Sequence, residues 1–369
     1  METQNLFFFS LCFFLFSLLT GSSHHHHYQL HHGLYGFQPT KLFVFGDSYA
    51  DTGNTRIKNS SSWKFPYGIT FPGKPTGRFS SGRVLTDYIA KSLGLKTPIA
   101  YRWTNYEPDH VQYGINFAYG GTGVFKTLLP GPNMTTQIDI FQSLINDGSP
   151  IYNTSDLQSS LALVTLSGND YSAYVAKGGS QTFGTTENGA KPSPISSFFV
   201  EIRRDLETFI NLVVNQLKTN LERIHGTGVK KVAVAALQPL GCLPGRTIQN
   251  SFQQCNDTDN KAATYHNRLL TEAVANLNNG TNDSPFVILD LYDSFISVLQ
   301  NKSGSVKFET PLKPCCLGIS SEYSCGDIDD KGEKLYTVCE NPENAFFWDM
   351  YHPTQAGWHA AFLALNSPL

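Results

Sequence analysis

Positive charge is what this sequence most plainly lacks. Its 369 residues carry 27 Lys and Arg against 30 Asp and Glu, for a formal net charge of -3. The basic footprint that neutralises phosphates is missing, so no nucleic-acid partner is expected. Beyond residue 19 the chain also lacks any run near the roughly 20 apolar residues of a spanning helix, so no stable membrane span is expected in its body. There is no CxxC pair and no His within the Cys-rich stretch from Cys315 to Cys339, which argues against a zinc site, and no metal is expected. No internal repeat and no second domain is evident. Charged residues make up 15% of the chain and hydrophobic ones 40%, a balance that suits a large globular core.

The N terminus does hold an apolar stretch. It runs almost uninterrupted from Leu6 to Leu19 and gives way to the small residues Gly21 to Ser23. That is the core and cleavage region of a secretory signal, too short for a membrane span, and residues 1–23 are read as a cleaved signal peptide. A His-rich stretch, "HHHHYQLHH", follows within residues 24–40, which are read as a flexible polar leader. The protein is therefore expected to be secreted. Cysteine usage agrees: Cys12 falls in the signal, and Cys242, Cys255, Cys315, Cys316, Cys325 and Cys339 form an even set that reads as three disulfides. Cys242 and Cys255 are expected to pair, and adjacent Cys315 and Cys316 to bond elsewhere. N-x-[ST] sequons at Asn59, Asn133, Asn153, Asn256, Asn279, Asn282 and Asn301 are candidate glycosylation sites in the same compartment.

From residue 41 to 369 the chain reads as a single domain of strands alternating with helices. Short apolar runs at 41–46, 115–120, 161–166, 230–237 and 286–291 have the continuous hydrophobicity of strands buried on both faces. Amphipathic stretches lie at 83–95, 195–225, 259–279 and 354–366. In the second of these, Phe198, Ile202, Leu206, Phe209, Ile210, Val213 and Leu217 recur at spacings of three and four. The expectation is an α/β fold, a three-layer α/β/α sandwich around a parallel sheet of about five strands. A long irregular segment, 171–194, is expected to overhang any crevice and to shape specificity.

In open α/β sheets ligands bind beyond the carboxyl ends of the strands, so the residues after each strand carry the candidate chemistry. After the first strand comes "GDSYADTG", where Ser48 is either an exposed nucleophile or the cap of a helix. The second leads into "NFAYGGTG". There Gly120 and Gly121 let the backbone approach a ligand, either as a tight turn or with an N–H aimed at an oxyanion. The third strand leads into "LSGNDY", where the Asn169 amide satisfies a local turn or donates to that oxyanion. Near the C terminus, "FFWDMYHPTQAGWHAAF" puts Asp349 and His352 three residues apart, the spacing at which a carboxylate can hold an imidazole in one tautomer. His359 is the weaker alternative to His352, because it lies within the last helix.

These four blocks together resemble the signature blocks of the GDSL esterase/lipase family, within the SGNH hydrolase superfamily, and most closely its plant secreted branch. The similarity runs from about Lys41 to the C terminus. It implies Ser48 as nucleophile, His352 as base and Asp349 as its orienter. The oxyanion hole would be formed by the Ser48 and Gly120 N–H groups and the Asn169 side chain. It further implies a flavodoxin-like fold, no cofactor, and a small-molecule or lipid ester as the partner of an assumed monomer. Two positions depart from the family pattern: Tyr49 stands where the family name has Leu, and Ser167 takes the Gly position of the third block. An acyltransferase using the same acyl-enzyme, and a catalytically silent binding protein, are the competing readings.

Overall fold

The computed structural model describes residues 37–146, 148, 150–179, 206–301 and 308–365. The expected signal peptide and His-rich leader lie outside them, apart from the last few leader residues.

Six strands form one sheet: β1 (Lys41–Phe45), β2 (Ile99–Ala100), β3 (Ile115–Asn116), β4 (Ser160–Val164), β5 (Lys231–Ala235) and β6 (Phe286–Leu289). Their order is β2-β3-β1-β4-β5-β6, and every neighbouring pair is parallel. The expected sheet of about five strands gains β2, a two-residue edge strand too short to leave an apolar run in the sequence. A separate antiparallel pair, β7 (Cys316–Gly318) with β8 (Tyr336–Val338), was not expected either.

The strand residues alternate between two cores. Phe43, Phe45, Ala162, Val164, Val232 and Val234 face one side. There they meet α2 (Met134–Asn146), α5 (Leu206–Gly226) and α7 (Asp257–Asn278). Leu42, Val44, Leu161, Leu163, Ala233 and Ala235 face the other, against α1 (Leu85–Ser92), α8 (Leu291–Leu299) and α9 (Gln355–Leu365). A one-residue slip of any strand would exchange the two sets, so burial on both faces fixes the register. The result is the three-layer sandwich.

Short helices α3 (Thr154–Gln158), α4 (Asn169–Ala176) and α6 (Pro244–Thr247) complete the set. α3 is built on a capping box, with Asn153 accepting from the Asp156 N–H and Asp156 accepting from the Asn153 N–H. Of the expected helix 195–225, the part from Leu206 onward is α5, and residues 195–205 lie outside the described part. The expected loop 171–194 is corrected at its start: residues up to Ala176 belong to α4.

The sheet order places the chain reversal at β1. After β1 the chain moves out to β2, returns to β3 beside β1, and from β4 onward builds the opposite side. Ligand crevices in such sheets open at this point, so the segments after β1, β3 and β4 converge there.

Candidate active site

The turn after β1 explains Ser48. Gly46 has φ +135°, and a Cβ there would collide with Thr165 at the end of β4, so only Gly lets the two strands end this close together. Gln137 of α2 clamps the same residue, accepting from the Gly46 N–H at 2.8 Å and donating to its carbonyl at 2.9 Å. Ser48 is not the cap of a helix. Residues 47–51 make a single turn, and it is the Asp47 carboxylate that accepts from the Tyr49 N–H. The Ser48 hydroxyl, 5% exposed, is instead 2.8 Å from His352 Nε2.

His352 reaches Ser48 from a turn rather than a helix. Asp349 Oδ1 accepts the Tyr351 and His352 N–H groups at 2.8 and 2.9 Å, which folds residues 349–352 back on themselves. The same carboxylate lies 2.8 Å (Oδ1) and 2.9 Å (Oδ2) from His352 Nδ1. Buried Tyr67 donates to its Oδ2 at 2.7 Å. Burial alone would push the Asp349 carboxyl up. The His352 ring, with the bonds from His352, Tyr67 and the Tyr351 N–H, outweighs it and holds the carboxyl below its ordinary value. Asp349 is thus kept as an anion that accepts from Nδ1–H, leaving Nε2 as the acceptor for the Ser48 proton.

Tyr49 ties the two turns together. Its hydroxyl donates to the Tyr351 carbonyl at 2.9 Å, and its ring packs edge-on against buried Trp358 of α9. His359 stands apart from this chemistry: it is exposed and stacks on Tyr88 at 5.4 Å.

The donors expected at the oxyanion position need one correction. The Gly120 N–H donates at 2.8 Å to Thr55 Oγ1 and at 3.0 Å to Asp51 Oδ2, both buried, and so is spent on holding its own turn. Gly121, with φ +78°, lines the cavity that contains Ser48, and its N–H has no acceptor among the described residues. The sequence signal was present in the Gly-Gly pair, but which of the two amides is occupied depends on Asp51, 69 residues from Gly120 in the chain. Asn169 opens α4 and also lines the cavity. Its Nδ2 donates to the Thr122 carbonyl at 3.0 Å, with longer contacts to Asp47 Oδ2 at 3.3 Å and Ser167 Oγ at 3.4 Å.

Three further residues escaped sequence reasoning. Asp47 is wholly buried, which pushes its carboxyl up. It is met by the Ser167 N–H and hydroxyl and by the Thr165 hydroxyl. Ser167, the departure in the third block, therefore supplies a hydroxyl bond that Gly could not. Asp170 accepts the Val124 and Phe125 N–H groups and fixes the segment after Gly121; burial raises its pKa to about 6. Tyr67 is 282 residues from its partner Asp349, a distance at which no local pattern announces it.

The cavity above Ser48 encloses about 520 Å³. Leu129, Leu206, Leu240 and Leu243 give it apolar walls, and the Arg246–Asp259 ion pair, 2.8 Å, stands at one side. Tyr171 and Val175 of α4 also line it. This is the size and character of a small-ligand site.

All six described cysteines are paired, as Cys242–Cys255, Cys315–Cys339 and Cys316–Cys325, which leaves none of them for a metal. Among the described residues no helix is long and apolar enough to cross a membrane.

Comparison with known proteins converges on one family. The model of the GDSL-like lipase/acylhydrolase family matches residues 42–365. A GDSL esterase/lipase of Arabidopsis thaliana is 55% identical over 345 residues, covering 92% of this chain and 89% of that protein. A second from the same plant is 50% identical over 347 residues, covering 93% and 92%.

Proposed function

This chain belongs to the GDSL-like lipase/acylhydrolase family and is a carboxylic ester hydrolase, and we propose that it works through an acyl-enzyme on Ser48. The observation that carries this reading is the continuous chain from Ser48 Oγ through His352 Nε2 and Nδ1 to Asp349. His352 takes the Ser48 proton as Oγ attacks the ester carbonyl, then gives a proton to the departing alcohol. Water, deprotonated by His352 in turn, cleaves the acyl-enzyme and frees the acid. Asp349 holds the ring in the tautomer this requires and stabilises the imidazolium that forms. The tetrahedral oxyanion is met by the N–H groups of Ser48 and Gly121, in place of the Gly120 amide, and by the Asn169 amide. Asn169 exchanges its long contacts for this one.

Secretion is part of the reading. Three disulfides persist only outside a reducing cytosol, and an apolar leader precedes the fold. Of the sequons, Asn153, Asn256, Asn279, Asn282 and Asn301 are exposed and suited to glycans. Asn133 is poorly suited, since its Nδ2 donates to the Val124 carbonyl.

The test is a panel of p-nitrophenyl esters of increasing chain length on the wild type and on Ser48→Ala, with fluorophosphonate labelling of the folded protein. Hydrolysis lost in the variant and a label on Ser48 support the reading. A label elsewhere, or full activity in the variant, would sink it.

A further inference from the structure

The molecule has a second cavity, about 690 Å³, whose lining does not include Ser48. The turn at 119–121 separates the two: Tyr119 lines the second cavity and Gly121 the first. Three cations border it, Arg56, Lys58 and Arg102, and no acidic side chain among the described residues does.

These cations differ in how they are held. Arg102 donates to the Thr55 carbonyl at 3.2 Å and lies over the Trp103 ring at 4.9 Å, so its position is fixed. Arg56 and Lys58 are exposed, and neither side chain has an acceptor among the described residues. Behind them the wall is made of rings. Phe117 is 3% exposed and stacks on Phe45 at 5.3 Å, and Tyr101 tilts against it at 5.6 Å. Tyr119 is held by the Arg56 N–H, which donates to its hydroxyl at 3.2 Å.

A wall of three rings, with Phe117 buried and Tyr119 and Tyr101 progressively more open, favours a flat aromatic body, because aromatic pairs gain from offset and edge contacts beyond the area they bury. Uncompensated guanidinium and ammonium groups at its opening favour an anion, and the guanidinium fork suits a carboxylate. We propose that this cavity is a second binding site, for a compact aromatic carboxylate. The ring lies against Phe117 and Tyr119, and the carboxylate meets Arg56, Lys58 and Arg102. The site is independent of the Ser48 chemistry and takes no part in bond breaking.

The experiment is calorimetric titration of the purified, disulfide-bonded protein with trans-cinnamate as the probe. The same titration is run with cinnamyl alcohol, octanoate and inorganic phosphate, and on the variant Arg56→Gln/Lys58→Gln. Both replaced side chains are exposed and unpaired, so the fold and the hydrolysis of a short ester are expected to stay unchanged. Cinnamate should bind with one site per chain and weaken about fivefold or more in the variant, the loss of two solvent-exposed charge contacts. The alcohol and phosphate should bind at least as much more weakly. Cinnamate binding unchanged in the variant would place the ligand in the Ser48 cavity and overturn the proposal, as would no binding at all. Alcohol binding as tightly as cinnamate would remove the carboxylate, and octanoate matching cinnamate would remove the aromatic ring.

Discussion

The two halves of the proposed active site are built by different means. Ser48, Gly121 and Asn169 stand at the carboxyl ends of β1, β3 and β4, where parallel ladders and two buried cores set their places. Asp349 and His352 stand on a turn outside the six-stranded sheet, beside the small β7–β8 pair. Their support is a small cluster in which Cys315 donates its N–H to the Phe347 carbonyl at 2.9 Å, and Cys316 to the Trp348 carbonyl at 2.6 Å. The disulfides Cys315–Cys339 and Cys316–Cys325 close that cluster around Trp348 and Tyr67. One half inherits its geometry from the whole fold. The other depends on local cross-links that reduction can remove.

The largest expected effect lies in the sheet-built half. Ser48→Ala removes the nucleophile and should cost about four or more decades in kcat, with the thermal midpoint unchanged, as read by ester hydrolysis beside calorimetry. Next is Asn169→Ala in the same half. One oxyanion donor is worth about 3 to 4 kcal/mol of barrier, so kcat should fall by about two to three decades with little change in KM. Equal losses in kcat and in binding of a substrate analogue would instead mark Asn169 as a binding group.

The staple-built half predicts a split between activity and fold. Cys316→Ala/Cys325→Ala should destabilise the protein by about 2 to 4 kcal/mol. Activity should be lost at lower denaturant concentration than far-UV circular dichroism, because the turn loosens before the sheet melts. Coincident transitions would show that the two halves unfold as one unit.

Tyr67→Phe is the smallest and sharpest change. It deletes one buried hydrogen bond to Asp349, worth about 1 to 2 kcal/mol, so kcat should drop about tenfold at unchanged KM. The pH dependence carries the sign. Asp349 is held below its ordinary value in the folded state, so the stability it contributes is present above the unfolded value and lost as pH falls through the folded one. Without Tyr67 the folded value rises. Acid inactivation and acid unfolding should both begin at higher pH than in the wild type, and an unmoved acid limb would show that Tyr67 only fills space.

Legibility in the sequence follows the same division. β1, β4, β5 and β6 announce themselves as continuous apolar runs because both their faces are buried, and Ser48 and Asn169 could be placed simply by following each run to its end. β3 pairs only over Ile115–Asn116, at the start of the apolar run 115–120 that marks it, whereas β2, also two residues long, leaves almost no pattern. Asp349 and His352 were visible as a pair by their spacing, which fits a helix or a turn alike; the Asp349 carboxylate, by accepting the Tyr351 and His352 N–H groups, makes it a turn. What no pattern could reveal is contact over long separations. The occupation of the Gly120 amide by Asp51, the Ser167 hydroxyl on Asp47, and Tyr67 on Asp349 are all settled by which loops meet above the sheet.

Tyr49 sits next to Ser48, and Tyr351 next to His352. The Tyr49–Tyr351 bond therefore runs alongside the Ser48–His352 bond like a second rung between the same two rails. On the proposed mechanism the Ser48–His352 rung breaks and re-forms in every turnover as the proton leaves and returns. Its neighbour takes no part in that traffic, so the gap between nucleophile and base is kept by a bond that chemistry never touches.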